Sequence, residues 1–266
     1  MNNSSNAPER AQAFLLSLPW YDLPPVENEI DRFYFTLRET LLSQLTLAGV
    51  SSTPVQIPEQ RDRQARPEEQ WANPQLLLSQ CCGGDLFTND GGQLVPLARP
   101  VFKELDCESG NYYSYIVAHN SLNNTPRIAI NSSSSYSGCI SLFNWLKREG
   151  MQSRKVTVSG SHQASLALLQ RGEVDVIAVD ANTWQLLDLG GKDIIDKTDE
   201  APAPPFVCHR ETAHLAHYTL DALKQTLRST NGVAGISSLL DCCAQDYDMM
   251  ALEMNASTSS PSSRFA

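Results

Sequence analysis

Three short apolar runs in the second half of the chain are each followed by a polar turn and a stretch with helical periodicity. The runs span 127–131, 155–159 and 174–179. Apolar strands with short links between helix and strand are typical of right-handed crossovers in a parallel sheet. The pattern therefore predicts an α/β fold.

The first half has the same ingredients with longer, more polar connections. Apolar residues recur every three or four positions over 27–48, which predicts a long helix. The charged, proline-punctuated stretch 58–74 predicts a loop with one or two helical turns. Strands are predicted over 13–19, 55–57, 76–79 and 112–118.

Apolar patterns resume after a proline-rich stretch near residue 200. Residues 201–205 (APAPP) predict a stiff connector. A strand is then predicted over 206–208, and helices over about 213–228 and 236–247. The polar ends of the chain, 1–12 and 255–266, are predicted to be disordered tails.

Composition and charge exclude several classes of protein. Of the 266 residues 41% are hydrophobic, which is enough for a buried core, and the net charge is −10. A nonspecific nucleic-acid binder needs a basic surface, and an anionic membrane would repel this chain. Insertion into a membrane is not expected, because no apolar run approaches the length of a spanning helix.

The cysteines and the N-terminus bear on the compartment. The seven cysteines include two vicinal pairs and no C-x-x-C motif, which favours a reducing compartment over a disulfide framework. The first residues lack the basic region of a secretory signal. Both observations predict a cytoplasmic protein, unless a leader was removed.

The most informative polar residues stand directly after the three apolar runs. Five serines and Tyr136 fill 132–137 and precede Gly138. Ser161 and His162 begin the second helical stretch, and Asp180 begins the third. The N-terminus of a helix offers free N–H groups and a partial positive charge. Together with hydroxyl donors, these groups predict an oxyanion site that needs no lysine or arginine.

Simpler interpretations of each residue stay open. The serines and Asp180 are also ordinary helix caps, and His162 could be a cap or a core residue. A catalytic triad of Ser137, His162 and Asp180 is disfavoured, because no nucleophile elbow is present. The chain also lacks the common nucleotide-binding and metalloprotease motifs, so neither a cofactor nor an enzymatic activity is predicted. A metal site is not predicted either, although three histidines lie close in sequence: His209, His214 and His217.

At this point the chain resembles the phosphate/phosphonate-binding proteins of ABC importers, which have the type 2 periplasmic-binding fold. The resemblance covers about residues 13–248, and its motifs occur in the same order as in members of the family. The matching motifs are Trp20-Tyr21-Asp22, Gln80-Cys81-Cys82-Gly83, Tyr113-Ser114-Tyr115, Ser135-Tyr136-Ser137-Gly138, Gly160-Ser161-His162, and Gly172-Glu173-Val174-Asp175-Val176 with Asp180 after it.

The resemblance implies two lobes with a ligand cleft between them. The first lobe would hold 13–117 and 206–250, and the second lobe 118–205. The implied ligand-binding residues are Tyr21, Ser114, Ser135, Tyr136, Ser137, His162 and Asp180. Tyr136 stands where family members commonly carry threonine, so it narrows the pocket or adds a phenolic hydroxyl. Asp85 adds a negative group near the mouth of the cleft.

The function implied by the resemblance is capture of a phosphonate, phosphate or phosphate ester for ABC-type uptake. Its partners would be a small anionic ligand and an ABC permease, and its location would be the periplasm. Two alternatives remain: a cytoplasmic enzyme of the menaquinone-route type on the same fold, and a cytosolic ligand sensor. Turnover of an aromatic carboxylate would favour the enzyme, and ligand-dependent capture of a partner protein would favour the sensor.

Overall fold

Fourteen strands and seven α-helices are found in the computed structural model, which describes residues 12–51, 54–191 and 193–258. The strands are β1 (Gln12–Ala13), β2 (Leu15–Leu16), β3 (Val55–Gln56), β4 (Leu76–Gln80), β5 (Leu94–Phe102), β6 (Asn111–Tyr112), β7 (Ser114–Val117), β8 (Arg127–Ile130), β9 (Lys155–Val158), β10 (Val176–Asp180), β11 (Ile194–Lys197), β12 (Ala201–Pro202), β13 (Phe206–His209) and β14 (Ile236–Asp241). The helices are α1 (Glu27–Leu47), α2 (Pro67–Trp71), α3 (Ser141–Arg148), α4 (His162–Gln170), α5 (Ala181–Leu186), α6 (Ala216–Thr230) and α7 (Asp248–Thr258).

Two five-stranded sheets form the centres of two lobes, as the predicted fold requires. The sheet of the first lobe has the order β14-β5-β13-β4-β2, and that of the second lobe has the order β11-β7-β10-β8-β9. In the second lobe, β8 pairs in parallel with both β9 and β10, which confirms the predicted parallel units. All five residues of β4 and of β10 are buried, because these strands lie inside their sheets.

Two crossing segments connect the lobes. Strand β6 pairs antiparallel with β12, with Tyr112 opposite Ala201, so the two crossings lie side by side. The predicted proline-rich connector is thus extended at its start. The chain enters the second sheet at Ser114, before the predicted boundary at residue 118, and the last strand of that sheet ends at Lys197.

One predicted helix is wrong, and several strands, of which β5 is the longest, were not predicted. Residues 236–241 form β14, an edge strand that pairs antiparallel with β5, and only a 3-10 turn and α7 follow. The spacing of Ile236, Leu239 and Leu240 suits a helix, but pairing with the nine-residue β5 decides the conformation. Strand β5 contains Pro96 and Pro100, which argue against a strand, and its pairings with both neighbours have register shifts.

The predicted tails are only partly described. Gln12 lies in β1, and α7 continues through Thr258. The remaining residues of both tails lie outside the described part of the chain. No helix among the described residues combines the length and the apolar character needed to cross a membrane.

Helix α7 contacts both lobes. It packs closely against Gly83 and Gly84 of the first lobe, where an added Cβ would collide with Met250 and Met254. On the second lobe, the Glu253 carboxylate accepts hydrogen bonds from the Tyr136 hydroxyl at 2.9 Å and from Asn144 Nδ2 at 3.0 Å. The C-terminal helix therefore connects the two halves outside the crossing segments.

Candidate functional site

A cavity of about 390 Å³ lies between the two lobes. The second lobe contributes Asn131, Ser132, Ser134, Ser135, Ser137, Gly160, Ser161, His162, Gln163, Asp180 and Thr183. The first lobe and the crossing segments contribute Pro19, Trp20, Tyr21, Asp22, Leu23, Glu68, Trp71, Cys82, Asp85, Tyr112 and Pro204. We call these two surfaces the second-lobe wall and the first-lobe wall.

The serine-rich loop after β8 ends in an unusually wide helical turn. Ser135 caps this turn, since its Oγ accepts from the Gly138 N–H at 3.1 Å. The Ser135 carbonyl accepts from both Cys139 N and Ile140 N, at 3.2 and 3.1 Å, which makes the turn over Tyr136–Ile140 π-helical. Such turns recur at functional sites, and this one places Ser137 at the cavity.

Gly138 is required by close packing beneath this turn. A Cβ at this position would collide with the side chain of Asn131, which also lines the cavity. The glycine thus lets the serine turn approach the end of β8.

His162 links the second helix head to the serine turn. Its Nε2 lies 3.0 Å from Ser137 Oγ, and its Nδ1 lies 3.2 Å from the carbonyl of Ala178 in β10. Burial lowers the pKa of His162 to about 4, although the Ala178 carbonyl favours the charged ring. The imidazole is therefore neutral at pH 7.

Asp180 caps the third helix and faces the first lobe. Its Oδ1 accepts from Thr183 N at 2.8 Å, and its Oδ2 accepts from the Tyr21 hydroxyl at 3.2 Å across the cleft. Burial raises the pKa of Asp180 to about 6, against the opposing effect of these hydrogen bonds. Burial and the Asp180 charge raise the pKa of Tyr21 well above its ordinary value, so this phenol stays protonated.

The first-lobe wall is aromatic and acidic. Trp20 and Trp71 lie with ring centroids 6.2 Å apart, and Glu68 belongs to the same short helix as Trp71. The Asp85 carboxylate accepts from Cys82 N at 2.9 Å, and burial raises its pKa to about 6. Of the described residues that line the cavity, none is Lys or Arg.

The structure brings five of the seven predicted ligand-binding residues to one cavity: Tyr21, Ser135, Ser137, His162 and Asp180. Ser114 and Tyr136 do not line it. The Ser114 hydroxyl donates to the Ser137 carbonyl at 2.9 Å, and the Tyr136 hydroxyl donates to Glu253. These two side chains therefore support the turn and the lobe contact in this structure.

Sequence reasoning missed part of the first-lobe wall. Glu68 and Trp71 lie in a stretch predicted only as a loop with a helical turn, and no motif marked them. The histidines near residue 210 are engaged elsewhere: His209 Nδ1 accepts from Glu211 N at 3.2 Å, and His217 lies against the Tyr218 ring. Within the described residues, no three His, Cys, Asp or Glu side chains are grouped to hold a metal ion.

Comparison with known families finds a match over more than half of the chain. The sequence profile of the family described as "ABC transporter, phosphonate, periplasmic substrate-binding protein" matches residues 87–240. This stretch includes the serine turn, the histidine and the buried aspartate of the second-lobe wall. No curated protein matches the chain significantly.

Several solved structures share the fold. PhnD1 from Prochlorococcus marinus in complex with methylphosphonate has a TM-score of 0.63 and 17% identity, covering 93% of this chain and 98% of that chain. A Xanthomonas citri protein bound to ATP has a TM-score of 0.62 and 12% identity, covering 94% and 99%. A binding protein component of an ABC phosphonate transporter from Pseudomonas aeruginosa has a TM-score of 0.61 and 10% identity, covering 94% and 90%. At these identities the likeness establishes the two-lobed fold.

Proposed function

Because the chain belongs to the family of phosphonate-binding periplasmic substrate-binding proteins of ABC transporters, we propose that it captures a phosphonate, phosphate or phosphate ester for ABC-type uptake. The observation that supports this most strongly is the second-lobe wall. There a capped serine turn and the head of a nine-residue helix face one interlobe cavity. An ABC permease is the partner that this role requires.

The second-lobe wall can hold oxyanions without a cationic side chain. The hydroxyl hydrogens of Ser135 and Ser161 are free to donate, because each Oγ serves as acceptor in its own cap. The first N–H groups of α4 have no partner within the helix and add the positive end of its dipole. Tetrahedral oxyanions suit such helix heads.

Binding would stabilise the closed arrangement of the lobes. Two hydrogen bonds already span the cleft: Tyr21 with Asp180, and the Tyr136 N–H with Cys82 Sγ at 3.3 Å. A ligand held by both walls favours the closed state in proportion to its tighter binding there. A permease can then distinguish the loaded protein from the empty one.

The charge of the cavity favours a small ligand of low charge. Four carboxylates line it without any Lys or Arg among the described lining residues: Asp22, Glu68, Asp85 and Asp180. A triphosphate would be repelled by these groups, whereas a small phosphonate places its charge against the second-lobe wall. We therefore expect methylphosphonate to bind more tightly than ATP, although structures with this fold hold either ligand.

The experiment is calorimetric titration of the purified protein with methylphosphonate, inorganic phosphate and ATP. Ser137→Ala and His162→Ala should each weaken methylphosphonate binding at least about tenfold, since each removes a group that orients the oxyanion contacts. Ser238→Ala and His214→Gln are matched controls, because both residues are exposed and lie outside the cavity. Unchanged melting temperatures would show that the variants are folded.

The possible failures are distinct. Wild-type affinity in both cavity variants would refute the residue assignment. Absence of binding for methylphosphonate, inorganic phosphate and ATP alike would refute the proposed function.

A further inference from the structure

We propose that Asn182 and the turn over residues 231–235 form an interlobe latch, which favours the closed state of the protein from outside the cavity. The latch regulates the site of the proposed function and to that extent rests on it, but its effect on closure can be measured without a ligand. Neither Asn182 nor any residue of the turn lines the cavity. The inference follows from one buried hydrogen bond between the lobes and from the backbone of the turn that accepts it.

The first observation is the hydrogen bond that joins α5 to the first lobe. Asn182 lies in the first turn of α5, two residues after Asp180, and its Nδ2 donates to the Ala234 carbonyl at 3.0 Å. Asn182 is 1% exposed and Ala234 is 3% exposed, so each group depends on the other for a partner while the lobes are closed. Separation of the lobes would expose both groups to water. The bond therefore belongs to the closed arrangement.

A second hydrogen bond comes from the same face of α5. Gln185, three residues after Asn182, donates from Nε2 to the Glu104 carbonyl at 2.9 Å, and Glu104 follows β5 in the first lobe. Positions three apart share one face of a helix. This face of α5 thus lies against the first lobe, whereas Asp180 at the head of the same helix lines the cavity. Because α5 is a single short helix, the latch and the cavity close together.

The turn that accepts Asn182 is held in shape by the first lobe. The Ala234 N–H donates to the Glu29 carboxylate of α1 at 2.8 Å, and the Gly235 carbonyl accepts from Lys103 N at 2.9 Å. Ala234 has a φ of 46°, a left-handed conformation that is uncommon for alanine and persists where the surroundings impose it. These contacts do not involve the second lobe. The accepting carbonyl is therefore positioned independently of closure.

Gly235 is required because the Asn182 side chain lies directly against it. An added Cβ would lie 2.2 Å from Asn182 Oδ1, and the φ of +81° also favours glycine. A side chain at this position would displace the amide from the Ala234 carbonyl. The turn thus fits Asn182 closely, as expected of a contact that specifies one closed position.

The latch sets the balance between the open and closed states. A ligand held by both walls binds the closed state, so its apparent affinity falls in proportion to the fraction of closed protein. Asn182 lies outside the cavity and is a positioning residue, since it acts by holding α5 against the first lobe. Its removal should therefore weaken the binding of different ligands by the same factor.

The first experiment compares Asn182→Ala with the wild type. Small-angle scattering of the unliganded full chain should show a larger radius of gyration for the variant, and saturating methylphosphonate should restore the wild-type value. Calorimetric titration should show that the affinities for methylphosphonate and inorganic phosphate both fall by the same factor, about fivefold or more. Asn89→Ala, at an exposed position outside the cavity, is the matched control and should behave like the wild type.

A double-mutant cycle separates the latch from the stability of the turn. Gly235→Ala should weaken methylphosphonate binding, because the new Cβ displaces the Asn182 amide. In the double variant that amide is absent, so Gly235→Ala should add little to the loss caused by Asn182→Ala. The strain of alanine at a positive φ is present with and without Asn182 and cancels in the cycle. Thermal melts check that all three variants are folded.

The outcomes separate the latch from the proposed function. Wild-type scattering and affinity in Asn182→Ala would overturn the latch and leave the proposed function intact. Unequal losses for methylphosphonate and phosphate would overturn the positioning role of Asn182, and additive losses in the cycle would overturn its contact with the turn. If methylphosphonate, inorganic phosphate and ATP all fail to bind, the proposed function is refuted, and the scattering of the unliganded variants still decides the latch.

Discussion

The two walls of the cavity are built in different ways. The second-lobe wall comes from three successive strand ends, each followed within a few residues by a helix or a helical turn. The first-lobe wall is assembled from separate turns and a short helix, at positions around 20, 70 and 85. One wall is a product of sheet topology, since parallel strand ends meet at one edge. The other depends on how distant loops pack.

The walls also differ in chemistry. Hydroxyls and helix N–H groups dominate the second-lobe wall, whereas carboxylates and indole rings dominate the first-lobe wall. From this difference we infer that the second lobe recognises the oxyanion and that the first lobe limits the size and charge of the ligand. The following predictions test this division of roles.

The largest effect is expected from Gly138→Ala, which disrupts the second-lobe wall directly. The new Cβ would collide with Asn131, so the serine turn or the end of β8 must move. We expect methylphosphonate binding to fall by more than about tenfold and the free energy of unfolding to fall by about 1–3 kcal/mol. Titration calorimetry and urea denaturation measure the two quantities.

A matched glycine provides the control. Gly191 has open space around its Cα and no positive φ. Gly191→Ala should therefore leave methylphosphonate binding unchanged and leave the free energy of unfolding unchanged or slightly higher. Equal behaviour of the two alanine variants would contradict the packing argument at the serine turn.

The next effect concerns the pH dependence of stability at Asp180. Because the folded protein raises the pKa of this carboxyl to about 6, its contribution to stability is present below pH 4 and is lost as pH rises through 6. A pKa change from 3.8 to about 6 corresponds to at most about 3 kcal/mol. Between pH 4 and 7, the free energy of unfolding should therefore fall by up to this amount relative to Asp180→Asn.

Urea denaturation of both proteins at several pH values measures this difference. Asp85, whose pKa is also raised, and His162, whose pKa is lowered, are present in both proteins and cancel. If the free energies of unfolding of the wild type and the variant change with pH in parallel, burial does not destabilise the ionised form of Asp180, and the prediction is contradicted.

A smaller effect is expected from Tyr21→Phe, which removes one hydrogen bond between the walls. The buried Asp180 carboxylate would lose a donor, at a cost of about 1–2 kcal/mol to the closed state. Methylphosphonate affinity should fall about five- to thirtyfold. Small-angle scattering of the unliganded variant should show a larger radius of gyration if the bond helps to hold the lobes together.

The smallest effect is expected from Glu253→Ala in α7, outside the cavity. It removes the acceptor for Tyr136 and Asn144, and hydrogen exchange in the turn over Tyr136–Ile140 should become faster. Binding should change less than about threefold. Glu59→Ala, at an exposed position far along the chain, should leave the exchange unchanged. Exchange that is identical in the two variants would contradict a role for α7 in holding the serine turn.

The difference between the two walls also explains how much of the site could be predicted from the sequence. The periodic pattern from residue 127 to 187 was sufficient for strands, helices and their parallel order, because each unit is local and its strand is buried. Ser137, His162 and Asp180 could be assigned to one cavity for that reason. Glu68 and Trp71 could not, since their approach to Asp85 depends on loop packing that leaves no periodic signal.

Local patterns failed where pairing decides the conformation. Ile236, Leu239 and Leu240 have helical spacing, yet they form β14 because β5 offers a long partner. The direction of the Tyr136 side chain was equally invisible in the sequence, since its acceptor, Glu253, lies 117 residues away. The motif placed this residue beside the cavity, and only the tertiary fold shows that its hydroxyl points elsewhere.

A crystal structure of the protein with methylphosphonate most directly tests the claim that the second-lobe wall recognises the oxyanion. We predict phosphonate oxygens within 3.2 Å of Ser137 Oγ, the Ser135 hydroxyl and the first N–H groups of α4, with the methyl group toward Trp20. A ligand bound only to the first-lobe wall, or an empty cavity at saturating methylphosphonate, would contradict it.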